Sequence, residues 1–280
     1  MTRLLIVNAD DYGLTEGVSR AIIRAHREGI VTSTSALALG PAFASTAAWL
    51  DDVPDLGVGA HLAIVGEDPP LLSAAEIPSL VDRRGRLRLS WRQLLPRAAI
   101  GRLDPADVER EMAAQLACIS ERVGPSRLTH VDSHQHLHLW PAIGTVLLAL
   151  ARRSGIGAVR VPRSLGRSPV GRAVNALGNR FDRRAAAAGL ARPAAFAGFD
   201  EGGTLAEPAL VATIASLAAS GADSAELAIH PGEEADADLA RYEWGYRWGD
   251  ELAALVSPRA RRAVDDAGLE LGSFAALASR

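Results

Sequence analysis

Short apolar runs alternate with stretches of helical periodicity along this 280-residue chain, and that alternation constrains its fold more than any other feature. Leu4 to Val7 carries no polar alternation, as expected of a strand buried on both faces. After Asn8-Ala9-Asp10-Asp11-Tyr12-Gly13-Leu14, Thr15 and Glu16 open a helix. Its apolar face is Val18, Ala21, Ile22 and Ala25, and Gly29 stops it. Thr32 to Leu39 is predicted as a second strand, Phe43 to Leu50 as a helix and Gly57 to Ile64 as a third strand. Asp104-Pro105 caps a helix reaching about Val123, Leu128 to Asp132 is strand four, and Trp140-Pro141 starts a helix that ends near Gly155. Gly157 to Val161, Ala195 to Phe199 and Ala225 to Ile229 supply strands five to seven, with a helix over Glu207 to Ser220. Gly249 to Gly268 reads as one last long helix and Leu269 to Phe274 as an eighth strand. Crossovers of this length make right-handed βαβ units and a parallel sheet. Seven or eight of them predict an α/β fold, a distorted, TIM-barrel-like (β/α) barrel, with residues 1–280 as a single domain.

Two segments interrupt the alternation. Residues 65–97 are rich in proline and arginine and are expected to form an insertion or lid over the barrel mouth. Residues 163–192 hold seven arginines against one acid, Asp182. A solvated helix face is the expectation there, with an anionic ligand or partner site as the alternative.

Polar residues gather where strands end. Asp10 and Asp11 follow strand one, His61 ends strand three and His230 ends strand seven. From His130 to His138 a histidine or aspartate stands at every second position (His130, Asp132, His134, His136, His138), so in extended backbone all five would share one face. Barrels of this kind carry their chemistry at the C-terminal ends of the strands. Two adjacent carboxylates repel each other and call for a cation or a shared proton. An aspartate and two histidines facing one metal leave positions open for water and substrate. Such a metal would polarise a carbonyl, while an unligated aspartate and a further histidine could act as base and acid. Asp10, Asp11, His61, His134 and His230 suffice for metal-assisted amide hydrolysis.

Composition removes other chemistries. All 30 basic residues are arginine, which excludes a Schiff-base lysine and a Walker lysine. There is no G-x-S-x-G elbow, and the one cysteine, Cys118, forms no intramolecular disulfide. A net charge of −3 gives no bulk attraction to nucleic acid. The N-terminus turns polar too early for a signal peptide, and no apolar run approaches the ~20 residues of a membrane span. A soluble, cytoplasmic protein is expected.

Asn8-Ala9-Asp10-Asp11-Tyr12-Gly13, the lone histidine after strand three, Thr129-His130-Val131-Asp132-Ser133-His134-x-His136-x-His138 and His230-Pro231 together resemble the YdjC-like carbohydrate deacetylases. Residues 5–40 and 247–274 share that family's pattern too. The resemblance implies removal of the N-acetyl group from an N-acetylglucosamine-type saccharide or glycoconjugate, releasing acetate. It implies one divalent metal, Zn²⁺ or Mg²⁺ foremost with Mn²⁺ or Co²⁺ as alternatives, held by Asp11, His61 and His134. Asp10 would be the base and His230 the acid, with Asp132 and His138 orienting the ligands. The segment Arg241 to Trp248 is the most aromatic of the chain, and Trp244, Tyr246 and Arg247 are candidates for lining a sugar subsite. Aromatic packing or a homodimer contact is the alternative use of that segment. Two further readings stay open: a metal-dependent phosphoesterase, which often needs two metals, and a saccharide-binding barrel without turnover, for which a spare base has no use.

Overall fold

The computed structural model describes residues 3–166 and 168–279. Its longest strand, β1 (Arg3–Tyr12), organises the sheet. It pairs in parallel with β7 (Ser224–Ile229) along one edge. On the other edge it meets β2 (Ser33–Ala36) at residues 8–12 and β8 (Leu269–Leu271) at residues 3–5. The rest of the sheet runs outward from β2 through β3 (Gly57–Leu62), β4 (Leu128–Ser133) and β5 (Ala158–Val159), and outward from β7 to β6 (Ala195–Ala197). Every strand pairing is parallel, as the long crossovers require.

The curled sheet does not close by pairing β5 with β6. Ala191 spans that seam instead, its N–H donating to Gly157 O and its carbonyl accepting from Val159 N, both at 2.9 Å. The expected eighth strand is present but is not a stave between β7 and β1. Ten residues give β1 room for two partners in succession on one edge, so β8 lies end to end with β2.

Helices cover the outer face: α1 (Glu16–Glu28), α2 (Phe43–Thr46), α3 (Trp91–Ala99), α4 (Pro105–Val123), α5 (Pro141–Arg153), α6 (Pro169–Ala187), α7 (Glu207–Ala219), α8 (Trp248–Leu255), α9 (Pro258–Asp266) and α10 (Phe274–Ala278). Thr15 caps α1 by accepting from Val18 N, a contact worth about 1 kcal/mol. Val108, Met112, Leu116, Ile119 and Val123 of α4 are buried at helical spacing.

Several expected boundaries move. β1 extends past Val7 to Tyr12, while the second strand is confined to Ser33–Ala36 and the sixth to Ala195–Ala197. The helix expected over Phe43 to Leu50 is α2 followed by a 3₁₀ segment, Ala47–Asp52. The last long helix is two, because Pro258 supplies no N–H and Ser257 caps a fresh start. In residues 65–97 the backbone is tied to α4, whose Glu111 accepts from Leu71 N and Leu72 N and whose Asp107 accepts from Ser79 N. Among the described residues no helix is long and apolar enough to cross a membrane.

Candidate metal centre and its supporting charges

The site is built at the C-terminal ends of the strands, and it begins with a distortion. Adjacent residues of a regular strand point to opposite faces, yet Asp10 and Asp11 both turn toward the mouth. The register against β2 shifts between Ala9 and Tyr12, and Asp11 has φ 65°, so the bulge re-aims its side chain. Left-handed backbone is costly for a residue with a Cβ and persists where the surroundings enforce it.

The expected common face of the histidine stretch holds only for His130 and Asp132. Extended backbone ends at Ser133, and His134–Leu139 form a 3₁₀ turn in which Gln135 (φ 51°) and His136 (φ 54°) are left-handed. Ser133 Oγ accepts from His138 N at 2.9 Å and bonds His138 Nδ1 at 2.7 Å, while His138 Nε2 contacts Arg160 O. His138 therefore braces the turn. His136 packs against Phe196 and Phe199. The His130 ring stacks on Phe274 and lies within 2.5 Å of where a Cβ on Gly59 would stand, so that position admits only glycine.

Three donor atoms converge. Asp11 Oδ1 lies 3.4 Å from His61 Nε2 and 3.4 Å from His134 Nδ1, and the two nitrogens are 3.3 Å apart. Bonds of about 2.0–2.1 Å to a tetrahedral ion imply donor separations of about 3.3 Å. All three residues are buried, and Asp11 Oδ1 has no hydrogen-bond partner. A metal ion fits this donor set. His61 Nδ1 contacts Asp132 Oδ1 at 2.6 Å, which fixes the ring and leaves Nε2 facing the other two donors. Burial works against charge on Asp11, but the approach of His134 at 3.4 Å and the charge of His61 outweigh it and hold the carboxyl well below its ordinary range. Burial also disfavours a charged His61, but the Asp132 carboxylate overrides it and raises the imidazole to about 9. The space attracts positive charge.

Beneath these donors lies a residue the strand patterns did not single out. Arg160, fully buried just beyond β5, donates to both oxygens of Asp10 at 2.7 and 2.6 Å and to Glu226 Oε1 at 2.6 Å, and it lies 3.0 Å from Asp132 Oδ2. Asn8 donates to Asp10 Oδ1 at 2.7 Å, and Ser35 to Asp132 Oδ2 at 2.7 Å. Asp10, His61 and Asp132 also stand close enough together to hold an ion, but Arg160 already supplies the positive charge to both carboxylates. A signal did exist: Arg160 and Glu226 are lone opposite charges inside apolar strand runs, where a buried charge needs a partner.

His230 Nε2 lies 3.8 Å from Asp10 Oδ2, and its ring stands under Tyr246, with centroids 4.7 Å apart. Glu251 fixes its backbone by accepting from His230 N at 2.6 Å. Trp244 packs beside His134 at 5.1 Å and donates to Glu67. With Leu14, Leu37, Leu39, Ala63 and Val65 it lines a small recess next to His134 that Glu67 and Asp68 also border. Of the three expected sugar-contacting residues, Trp244 and Tyr246 therefore border the cluster. Arg247 is turned to solvent and paired with Asp250.

The YdjC-like protein family matches residues 4–266. The chain belongs to that family. Chitooligosaccharide deacetylase of Klebsiella pneumoniae (strain 342) is 35% identical over 280 residues, covering 98% of this chain and 99% of the relative. The enzyme of the same name from Serratia marcescens is 31% identical over 275 residues, covering 98% and 99%. A crystal structure from Enterococcus faecalis V583, described as a candidate cellobiose-phosphate cleavage protein, superposes with a TM-score of 0.82 at 24% identity, covering 99% of both chains. That likeness shows that the two chains share one fold.

Proposed function

We propose that this YdjC-like protein is a metal-dependent carbohydrate N-deacetylase that hydrolyses the amide of an N-acetylglucosamine-type saccharide and releases acetate. The observation that carries this reading is the convergence of Asp11, His61 and His134 on one space, with Asp10 and His230 beside it. Full-length relatives named as chitooligosaccharide deacetylases support the substrate class.

Asp11, His61 and His134 would hold a single divalent ion, zinc first by ligand type, with magnesium, manganese or cobalt as alternatives. Once bound, the ion polarises the amide carbonyl and acidifies a water molecule. The protein supplies the proton traffic. Asp10 Oδ1 already accepts from Asn8 and Arg160, whereas Oδ2 accepts one bond from Arg160 and keeps a free side toward His230. That side takes the proton from the attacking water. His230 gives a proton to the departing sugar amine as the C–N bond breaks, leaving acetate and a free amino group. Arg160 keeps Asp10 in place through hydrogen bonds to both of its oxygens.

Acetate release from chitobiose, a nucleotide-linked N-acetylglucosamine and an N-acetylglucosaminyl lipid, with added metal and with chelator, tests the reading. Metal-dependent release from one of them is expected. Asp10→Asn should retain the metal and lose about 10²–10⁴ in rate. Unchanged release by that variant would remove Asp10 from the mechanism.

A further inference from the structure

The two segments without a recognisable motif share a composition that the metal centre does not use. Residues 82–102 hold seven arginines against Asp82, and residues 163–192 hold seven against Asp182, so these stretches contain fourteen of the chain's 30 arginines. Large apolar side chains are exposed in the same places. Among the described residues, Leu71, Leu89, Trp91 and Ile100 lie in or beside the first segment, and Leu165 and Val170 lie in the second. No other large hydrophobic side chain is exposed among the described residues.

Both segments meet on the turn that follows β4. Gln135 accepts from Trp91 N at 2.9 Å and donates to Leu89 O at 3.2 Å, which pins the first segment next to His134. Phe181 of α6 packs on His138 at 4.9 Å. Ser164 to Gly166 are strapped to Asp200, just past β6, so Leu165 and Val170 stand at the mouth end of the barrel. Nearby acids are already engaged. Asp82 accepts from the backbone N–H groups of Arg84 and Arg86 and pairs with the Arg86 side chain, and Asp182 pairs with Arg192. Exposed Arg83, Arg84 and Arg102 have no carboxylate partner among the described residues, and Arg92 lies over the Trp91 ring at 5.3 Å. Across the mouth the polarity reverses: residues 231–250 hold six acids and two arginines.

We propose that the rim formed by these two segments docks on an anionic lipid bilayer. Arginines meet the phosphate headgroups, while Leu89, Trp91, Leu165 and Val170 enter the interface. Charge complementarity selects the anionic surface, and the interleaved aliphatic side chains favour a bilayer over a polynucleotide, which would engage the arginines and leave the leucines in water. The acidic arc of 231–250 is repelled by the same surface, so docking tilts the mouth with its β3–β5 side down. This surface stands independently of the chemistry proposed for the metal centre.

Flotation with vesicles of phosphatidylcholine, alone or mixed with phosphatidylglycerol, tests the proposal. The protein should float only with the anionic vesicles, and added salt should weaken the binding. At about fivefold per arginine, an Arg83→Gln, Arg84→Gln, Arg92→Gln variant should bind on the order of a hundredfold more weakly. Leu89→Ser with Trp91→Ser should also reduce binding. Thermal midpoints and acetate release from a soluble saccharide should match those of the unaltered protein, which separates loss of docking from loss of fold. Failure of the unaltered protein to float with anionic vesicles, or undiminished binding by the arginine variant, would overturn the proposal. So would tighter binding to duplex DNA, or a dimer in solution that Leu89→Ser and Trp91→Ser dissociate.

Discussion

Asp10 and Asp11 are neighbours in sequence but belong to two regions with opposite balances of donors and acceptors. Around Asp10 the protein provides its own cation: Arg160 reaches Asp10, Asp132 and Glu226, and Asn8 and Ser35 complete the hydrogen bonding. Around Asp11 a carboxylate oxygen without a hydrogen-bond partner and two imidazole nitrogens face one another within 3.4 Å, and the protein places no guanidinium between them. Burial of acids alone does not distinguish a metal centre from a structural charge network. The distinction lies in whether the lone pairs are already met.

Removing a member of the unmet cluster should have the largest effect. Asp11→Ala or His134→Ala should abolish metal binding and lower acetate release by about 10²–10³-fold or more, the lower bound being that of deleting a preorganised electrostatic group. Elemental analysis that finds full occupancy in both variants would sink the ligand assignment. Next comes the filled network. Arg160→Met leaves three acidic side chains facing one another in a buried space without their cation, and urea unfolding should show a loss of about 3–5 kcal/mol. A near-normal midpoint would mean that these acids shed their charge more easily than their burial suggests.

Asp132 bridges the two regions, taking Arg160 on one oxygen and His61 on the other. Asp132→Asn should weaken metal affinity by about 10–100-fold while leaving the ligand set complete, measurable by competition with a chelator. Glu226 adds a dependence on pH, because burial pushes its carboxyl up to about 8 against the pull of Arg160. The folded chain holds that proton more tightly than the unfolded one. The resulting stability is complete below the ordinary carboxylate range and is lost as pH rises through about 8. Glu226→Gln should flatten that part of the pH–stability curve, and an unaltered curve would assign the titration elsewhere.

The contrast between these regions also marks how far the sequence was legible. Asp10, Asp11, His61, His134 and His230 could be found because strand runs end at them, and parallel barrels collect such ends on one face. Arg160 and Glu226 lie within apolar runs, so periodicity passed over them, although their opposite charges offered a cue. Strict alternation suggested one extended face from His130 to His138, but Gln135 and His136 take left-handed backbone that no propensity favours, and only packing around the site holds them there. Parallel alternation of strand and helix was readable throughout. Where β8 pairs was not, because a three-residue strand carries too few side chains to specify a partner.

The pairing of β1 has a consequence for how the molecule is made. Leu4 pairs with Ser224 and Arg3 with Leu269, so β1 finds two of its neighbours far along the chain. Non-local pairings of this kind slow folding, and until they form the bulge at Asp11 has only β2 to set its shape. The unfolded chain therefore carries Asp11, His61 and His134 in order but not in register, and docking of β7 and β8 against β1 completes the frame that aims them.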